Sequence, residues 1–73
     1  MMDMTYDPEA DAVYIYFTHR KSDRTEEAGP FIYDVDVDGR VIGIEILSAS
    51  QVLAPGDWQN ARLPGNTKFD AAE

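Results

Sequence analysis

Two structural patterns coincide in the twelve residues Asp34-Val-Asp-Val-Asp-Gly-Arg-Val-Ile-Gly-Ile-Glu45. The first is the calcium loop D-x-D-x-D-G-x5-E, in which oxygen ligands from alternate positions surround a hard cation. The second is a β-hairpin, because Asp38-Gly39 separates two alternating runs that are rich in β-branched and aromatic residues. The choice between the two patterns determines whether this stretch is a metal site or a structural turn.

The residues around this stretch favour the hairpin. A calcium loop of this kind follows a helix, whereas Gly29-Pro30 breaks the segment that comes before it. A two-residue type I′ turn at Asp38-Gly39 would also fix the strand register. That register predicts three apolar pairs on one face, namely Val35–Ile42, Tyr33–Ile44 and Phe31–Ile46. The opposite face would then carry Asp34, Asp36, Val41, Gly43 and Glu45.

Three carboxylates on that second face raise the question of a functional site. Asp34, Asp36 and Glu45 would repel one another unless water, a cation or an arginine screened them. The simplest interpretation is a solvated acidic face paired with Arg20, Lys21 or Arg24, and the alternative is a divalent-cation site formed by the three carboxylates. Catalysis is not predicted, because no nucleophile, base or phosphate loop accompanies them. We therefore expect no catalytic residue, no cofactor and no enzyme activity.

Composition narrows the class of protein further. A chain of 73 residues predicts one small domain with a marginal core, and the absence of cysteine excludes disulfides and thiolate metal sites. No apolar run approaches the roughly 20 residues that a membrane helix needs, and the first residues are acidic, so a cytoplasmic location is predicted. The net charge of −8 disfavours nucleic acids and anionic membranes and favours a basic partner.

The remaining segments complete a fold prediction. Two short strands are predicted at residues 3–6 and 12–18, with a turn that begins at Asp7-Pro8 between them. The polar composition of residues 19–29 predicts a long loop. Ser48 with Gln51 fits a capping box before a short helix at 49–54. The predicted class is α+β, mainly β, with two successive antiparallel β-hairpins forming one sheet and the short C-terminal helix packed on it. Residues 1–54 would form the domain and residues 55–73 an irregular or flexible tail, with Trp58, Leu63 and Phe69 as the candidates to dock it.

An exposed sheet surface predicts a partner. The strand at 12–18 is apolar on both faces, so it should be central in the sheet or covered on each side. One short helix covers one face at best, which predicts a homodimer, and the long loop could let the copies exchange hairpins. Tyr14, Tyr16 and Trp58 are the candidate interface residues.

Two segments carry a family resemblance, Tyr6-Asp-Pro-Glu-Ala-Asp-Ala-Val-Tyr-Ile15 and the stretch from Asp34 to Ser50. Together they resemble the bacterial domain-of-unknown-function 2283 family over most of residues 4–53. The resemblance implies a small cytoplasmic domain without an assigned activity. It also implies antitoxin-like capping of a basic partner, because some relatives are thought to neighbour small-toxin genes. The family gives no role to the motif residues Tyr6, Asp7, Asp11, Asp34, Gly43 and Glu45. The predicted function is therefore a protein-interaction module, with divalent-cation binding as the alternative.

Overall fold

The computed structural model describes residues 3–65, which form one five-stranded antiparallel sheet in the order β1-β2-β5-β4-β3. Its elements are β1 (Asp3–Asp7), β2 (Ala12–Tyr16), β3 (Arg24–Ala28), β4 (Phe31–Val35), β5 (Val41–Ile46), helix α1 (Ala49–Val52) and a 3₁₀ turn (Asp57–Asn60). This architecture confirms the predicted fold class, which is α+β and mainly β. None of the helices in this described part has the length and apolar character that a membrane crossing requires.

The hairpin β4–β5 forms, and most of its predicted register is correct. Phe31 pairs with Ile46 and Tyr33 with Ile44, as the alternation predicted. Val35, however, pairs with Val41 and not with Ile42, so the prediction was wrong at this pair.

A longer loop explains the exception. Asp36 N–H donates to Arg40 O at 2.9 Å, and Gly39 N–H donates to Asp36 O at 2.9 Å, which leaves residues 37–39 as the loop. Gly39 has a φ of 82°, whereas Asp38 does not have the positive φ that a type I′ turn requires. The extra loop residue is absorbed by a bulge between Val35 and Asp34, after which the predicted register resumes.

Strand β3 was not predicted, because residues 19–29 were expected to be a loop. Arg24–Ala28 pairs with β4 along its whole length, and Gly29 turns the chain with a φ of 64°. The sequence Arg-Thr-Glu-Glu-Ala shows no apolar alternation, because β3 is an edge strand and four of its five residues are exposed. Charged side chains on an edge strand also discourage unwanted pairing with other chains.

Helix α1 packs on one end of the sheet, where Val13, Ile46 and Ala49 form the most buried cluster. It is shorter than predicted, and the capping box at Ser48 was wrong. Ser48 has a left-handed backbone (φ 52°) and makes no capping bond with its side chain. Asp11, 39 residues away, accepts the Ser50 N–H with its carboxylate and the Ala49 N–H with its carbonyl (2.8 Å), so the cap comes from the β1–β2 turn.

Part of the segment predicted as a tail lies along β1. Trp58 in the 3₁₀ turn packs edge-on against Tyr6, with ring centroids 5.0 Å apart. Tyr6 N–H donates to Arg62 O at 3.0 Å, and the Arg62 guanidinium pairs with the Asp3 carboxylate. Leu63 is half exposed, and Phe69 lies outside the described residues.

Candidate functional site

The two faces of the sheet differ in chemistry. Tyr14 lies opposite Glu45 across β2–β5, and Tyr16 and Asp34 both lie opposite Gly43. The two tyrosines therefore share a face with Asp34 and Glu45, two of the three carboxylates predicted to bind a cation. The sequence did not determine this, because it depends on how the two hairpins pair. We call the surface formed by Tyr14, Tyr16, Asp34, Gly43 and Glu45 the tyrosine face.

A hydrogen bond on this face joins strands that are not neighbours. The Tyr14 hydroxyl on β2 donates to the Asp34 carboxylate on β4, so the ring crosses over β5 at Gly43. A Cβ at position 43 would lie 2.7 Å from Cε1 of Tyr14, which is why only glycine fits there. Thr25 Oγ1 on β3 donates to the other Asp34 oxygen at 2.7 Å. Asp34 thus ties three strands together.

This arrangement fixes the protonation state of Tyr14. Burial, the hydrogen bond donated to Asp34 and the nearby carboxylates together raise the pKa of Tyr14 far above its ordinary value. The phenol stays neutral across the physiological range and acts as a hydrogen-bond donor, so it is unsuited to act as a base. The ring is also packed against Tyr16, with centroids 4.4 Å apart.

Asp36 has a different role from Asp34. It is 3% exposed, and its Oδ1 accepts the N–H groups of Asp38 (2.9 Å) and Arg40 (3.0 Å). The Arg20 guanidinium lies 3.7 Å from its Oδ2 and 4.0 Å from the Asp38 carboxylate. The carboxylate therefore holds the β4–β5 loop closed, and the arginine predicted to screen this cluster supplies the positive charge.

The predicted cation ligands Asp34, Asp36 and Glu45 are not assembled into one centre. No group of three or more acidic, histidine or cysteine side chains within residues 3–65 is arranged to hold a metal ion. Asp34 bonds Tyr14 and Thr25, Asp36 bonds its own loop, and Glu45 lies beside Tyr14. The divalent-cation site remains a prediction from the sequence, with no further support from these positions.

The predicted interface residues lie on two opposite faces. Tyr14 and Tyr16 belong to the tyrosine face, whereas Trp58 packs with Tyr6 and the Val13 cluster on the other side. Trp58 Nε1–H also donates to Ala54 O at 2.7 Å. These three residues cannot form one continuous surface.

A second polar network joins the β1–β2 hairpin to α1. The Tyr6 hydroxyl donates to Asp11 Oδ1 at 2.9 Å, and Ser50 Oγ donates to Asp11 Oδ2 at 2.7 Å. The Ser50 and Tyr6 hydrogen bonds hold the pKa of Asp11 below its ordinary value. The motif residues Tyr6 and Asp11 thus have a structural role, which is to hold the β1–β2 hairpin against α1. The sequence did not reveal this role because Asp11 and Ser50 are 39 residues apart.

Replacing Asp36 with asparagine is expected to weaken the dependence of stability on pH in acid. The Arg40 and Asp38 amides and the Arg20 charge hold the pKa of Asp36 below its ordinary value of 3.8. Because the folded pKa is the lower one, the carboxylate contributes its full stabilisation above that ordinary value and loses it as pH falls through the folded pKa. Asparagine can still accept both amides but does not titrate. Urea unfolding midpoints measured between about pH 5 and pH 2 test this.

In that experiment the urea midpoint of each protein at neutral pH is its own reference, and the fall of the midpoint from that reference with decreasing pH is compared between the wild type and Asp36→Asn. If Asp36→Asn falls from its own reference as steeply as the wild type does, the loop carboxylate is not a source of the acid sensitivity.

The fold and these networks define a small, mainly-β domain with an open sheet, one polar network that joins three strands and another that joins the β1–β2 hairpin to α1. Residues 3–50, more than half of the chain, match the family model described as "Protein of unknown function (DUF2283)". The protein therefore belongs to the DUF2283 family. No curated protein and no solved structure matches the chain.

Proposed function

We propose that this protein is a non-enzymatic interaction module that self-associates through the face opposite the tyrosine face. A row of apolar side chains crosses four strands there, with Met4 opposite Ile15, Ile15 opposite Ile44, and Ile44 opposite Tyr33. Phe31 extends the row on β4 and is 38% exposed. We call Met4, Ile15, Ile44, Tyr33 and Phe31 the isoleucine face. Met4, Ile15 and Ile44 border the Val13 cluster under α1, and the row continues from them to Tyr33 and the exposed Phe31. This apolar row is the observation that carries the proposal.

Charge favours a second copy as the occupant of this face. A net charge of −8 would normally keep identical chains apart. The isoleucine face, however, contains no charged residue, and Arg24 and Glu26 at its β3 edge pair with each other at 3.0 Å. A basic partner would be attracted to the carboxylates of the other face, so the uncharged face suits an equally acidic copy.

Size and core composition also favour self-association. The molecule measures 34 × 33 × 19 Å, so the outline of a broad face is compatible with the roughly 800 Å² per partner that stable interfaces bury, and α1 and Trp58 occupy the Val13–Ile46 end of this face. Within residues 3–65 the buried apolar residues are Ala12, Val13, Val35, Ile42, Ile46 and Ala49. None of them is aromatic or larger than isoleucine, so covering the isoleucine face would add considerably to a small core.

Exchange of hairpins between the copies, predicted from the long connection, belongs to the same proposal. Because β3 takes up residues 24–28, the connection that would act as the hinge shortens to residues 17–23. A hinge of this length remains compatible with exchange of the β1–β2 hairpin.

Phe31→Glu is expected to weaken dimerisation about 100-fold or more, because it places a charge in an apolar interface between acidic copies. Sedimentation equilibrium from micromolar to millimolar protein measures the dissociation constant. Val37→Glu is the matched control, since it makes the same charge change at a loop residue that is 74% exposed.

Circular dichroism establishes that both variants remain folded. The proposal predicts a wild-type dimer, a dimeric Val37→Glu variant and a monomeric Phe31→Glu variant. A wild-type protein that stays monomeric at millimolar concentration would refute self-association, and equal weakening by both substitutions would refute this face as the interface.

A further inference from the structure

A cleft of about 220 Å³ opens on the tyrosine face, next to β1 and the β1–β2 turn. We call it the tyrosine cleft. The side chains that matter for its chemistry are Thr5, Asp7, Tyr14, Tyr16 and Glu45, and Ala12 and Pro64 add apolar surface. It lies on the opposite side of the sheet from the proposed dimer face, so the two proposals can fail independently.

Two hydrogen-bond acceptors in the cleft are unused by the protein. Thr5 is 3% exposed and lines the cleft, yet within residues 3–65 its hydroxyl makes no hydrogen bond. Glu45 is half-buried on the central strand, and its carboxylate has no hydrogen bond or ion pair in the described part of the chain. Both groups line the cleft with acceptor oxygens that no protein donor within residues 3–65 occupies, so these two point to a ligand that donates hydrogen bonds.

The charge of the cleft selects a cation. Glu45 is joined by Asp7, whose Oδ1 accepts the Glu9 and Ala10 amides while its second oxygen makes no hydrogen bond within residues 3–65. None of the residues that line the cleft is basic. An anionic ligand would meet two carboxylates there and is excluded by charge.

The aromatic walls select an organic cation. The rings of Tyr14 and Tyr16 line the cleft, and the Tyr14 ring is held in place by its hydrogen bond to Asp34. Neutral phenol rings attract ammonium groups through their π faces and accommodate an alkyl chain. A metal ion would instead need several oxygens close together, and the described residues contain no such group.

We propose that the tyrosine cleft binds an alkylammonium group, from either a small free amine or the lysine side chain of a partner protein. The ammonium donates to Glu45 and to the Thr5 hydroxyl, and the alkyl chain packs against the tyrosine rings, Ala12 and Pro64. The volume admits a chain of a few carbons and is smaller than the roughly 300–1,000 Å³ of typical drug-sized pockets. A lysine side chain in this cleft would be a way for the domain to hold a basic partner.

Titration of the isotope-labelled full-length protein, followed by amide NMR, tests the proposal. The probes are cadaverine, a blocked lysine (N-acetyl-lysine methylamide) and the neutral analogue 1-pentanol. We expect saturable shifts at Thr5, Tyr14, Tyr16 and Glu45 with both amines and none with the alcohol. Glu45→Gln should raise the dissociation constant about tenfold, because a charge-assisted hydrogen bond is lost.

Matched variants separate this site from general attraction to an acidic protein. Glu27→Gln makes the same change at an exposed position on β3 and should leave amine binding unchanged. Thr5→Val keeps the size of the side chain but removes the acceptor, and it should weaken binding several-fold. This second variant tests the site independently if Glu45→Gln disturbs β5. Tighter binding of the blocked lysine than of cadaverine assigns the site to a partner protein, and the reverse order assigns it to a free amine.

Two results would overturn the proposal. One is equal binding of 1-pentanol, which would show that the charge is irrelevant. The other is an equal loss of amine binding in Glu45→Gln and Glu27→Gln, which would reduce the effect to net charge.

Discussion

Ile46→Ala is expected to lower the free energy of unfolding by about 3 kcal/mol. Ile46 is 6% exposed, pairs with Val13 on β2 and contacts Ala49 of α1, so it joins the sheet to the helix. Truncation removes apolar contacts and leaves a cavity that a rigid sheet cannot close. Domains of this size have only a few kcal/mol of net stability, so the variant should be partly unfolded at room temperature.

Urea unfolding followed by Trp58 fluorescence measures this loss, at one protein concentration because association would shift the midpoint. Val41→Ala on the same strand is the control, since Val41 is 42% exposed. It should change stability by about 0.5 kcal/mol or less. Similar losses in the two variants would show that the core does not lie where Val13, Ile46 and Ala49 place it.

Gly43→Ala is expected to lower the free energy of unfolding by about 2 kcal/mol, although alanine is ordinarily better than glycine in a strand. The new methyl group would lie 2.7 Å from the Tyr14 ring and must displace it. Displacement breaks the hydrogen bond from Tyr14 to Asp34 and partly exposes the phenol. The pKa of Tyr14 should therefore fall towards its ordinary value of 10.0, which an ultraviolet titration of tyrosinate detects.

A double-mutant cycle isolates the contact between these residues. In a Tyr14→Leu background, which lacks the ring, the cost of Gly43→Ala should largely disappear. Gly56→Ala is the matched glycine control, because its backbone is extended and the nearest atom would lie 3.7 Å from the added Cβ. Additive effects of Gly43→Ala and Tyr14→Leu would mean that glycine is required for another reason.

Local patterns predicted the hairpins of this fold but not their lateral arrangement. Alternation and the Asp38-Gly39 turn predicted the pairing of Tyr33 with Ile44, because side chains on a buried face leave a periodic signal. Strand β3 left no such signal, since its five residues are polar or small and lie at an edge. The helix cap was missed because Asp11 and Ser50 are 39 residues apart, and no local pattern links them.

The candidate site was predictable only in its components. Tyr14, Tyr16 and Glu45 were each identified from the sequence, but their common face depends on the pairing of β2 with β5. Glycine is required at position 43 because the Tyr14 ring crosses over β5 at that residue, and the sequence does not show this crossing. Asp36 was assigned to the acidic face because a two-residue turn was assumed, whereas the longer loop turns its carboxylate onto backbone amides.

The strand order has a consequence for how the chain folds. Three of the four strand pairings join consecutive strands, whereas β2–β5 unites the N-terminal hairpin with the three-stranded unit formed by the later strands. The consecutive pairings close short loops, and the remaining one must bring together segments separated by two other strands, which is slower. We therefore expect the pairing of β2 with β5 to be the slowest step of assembly, and the Tyr14–Asp34 hydrogen bond, which spans this pairing, to form only once that step is complete.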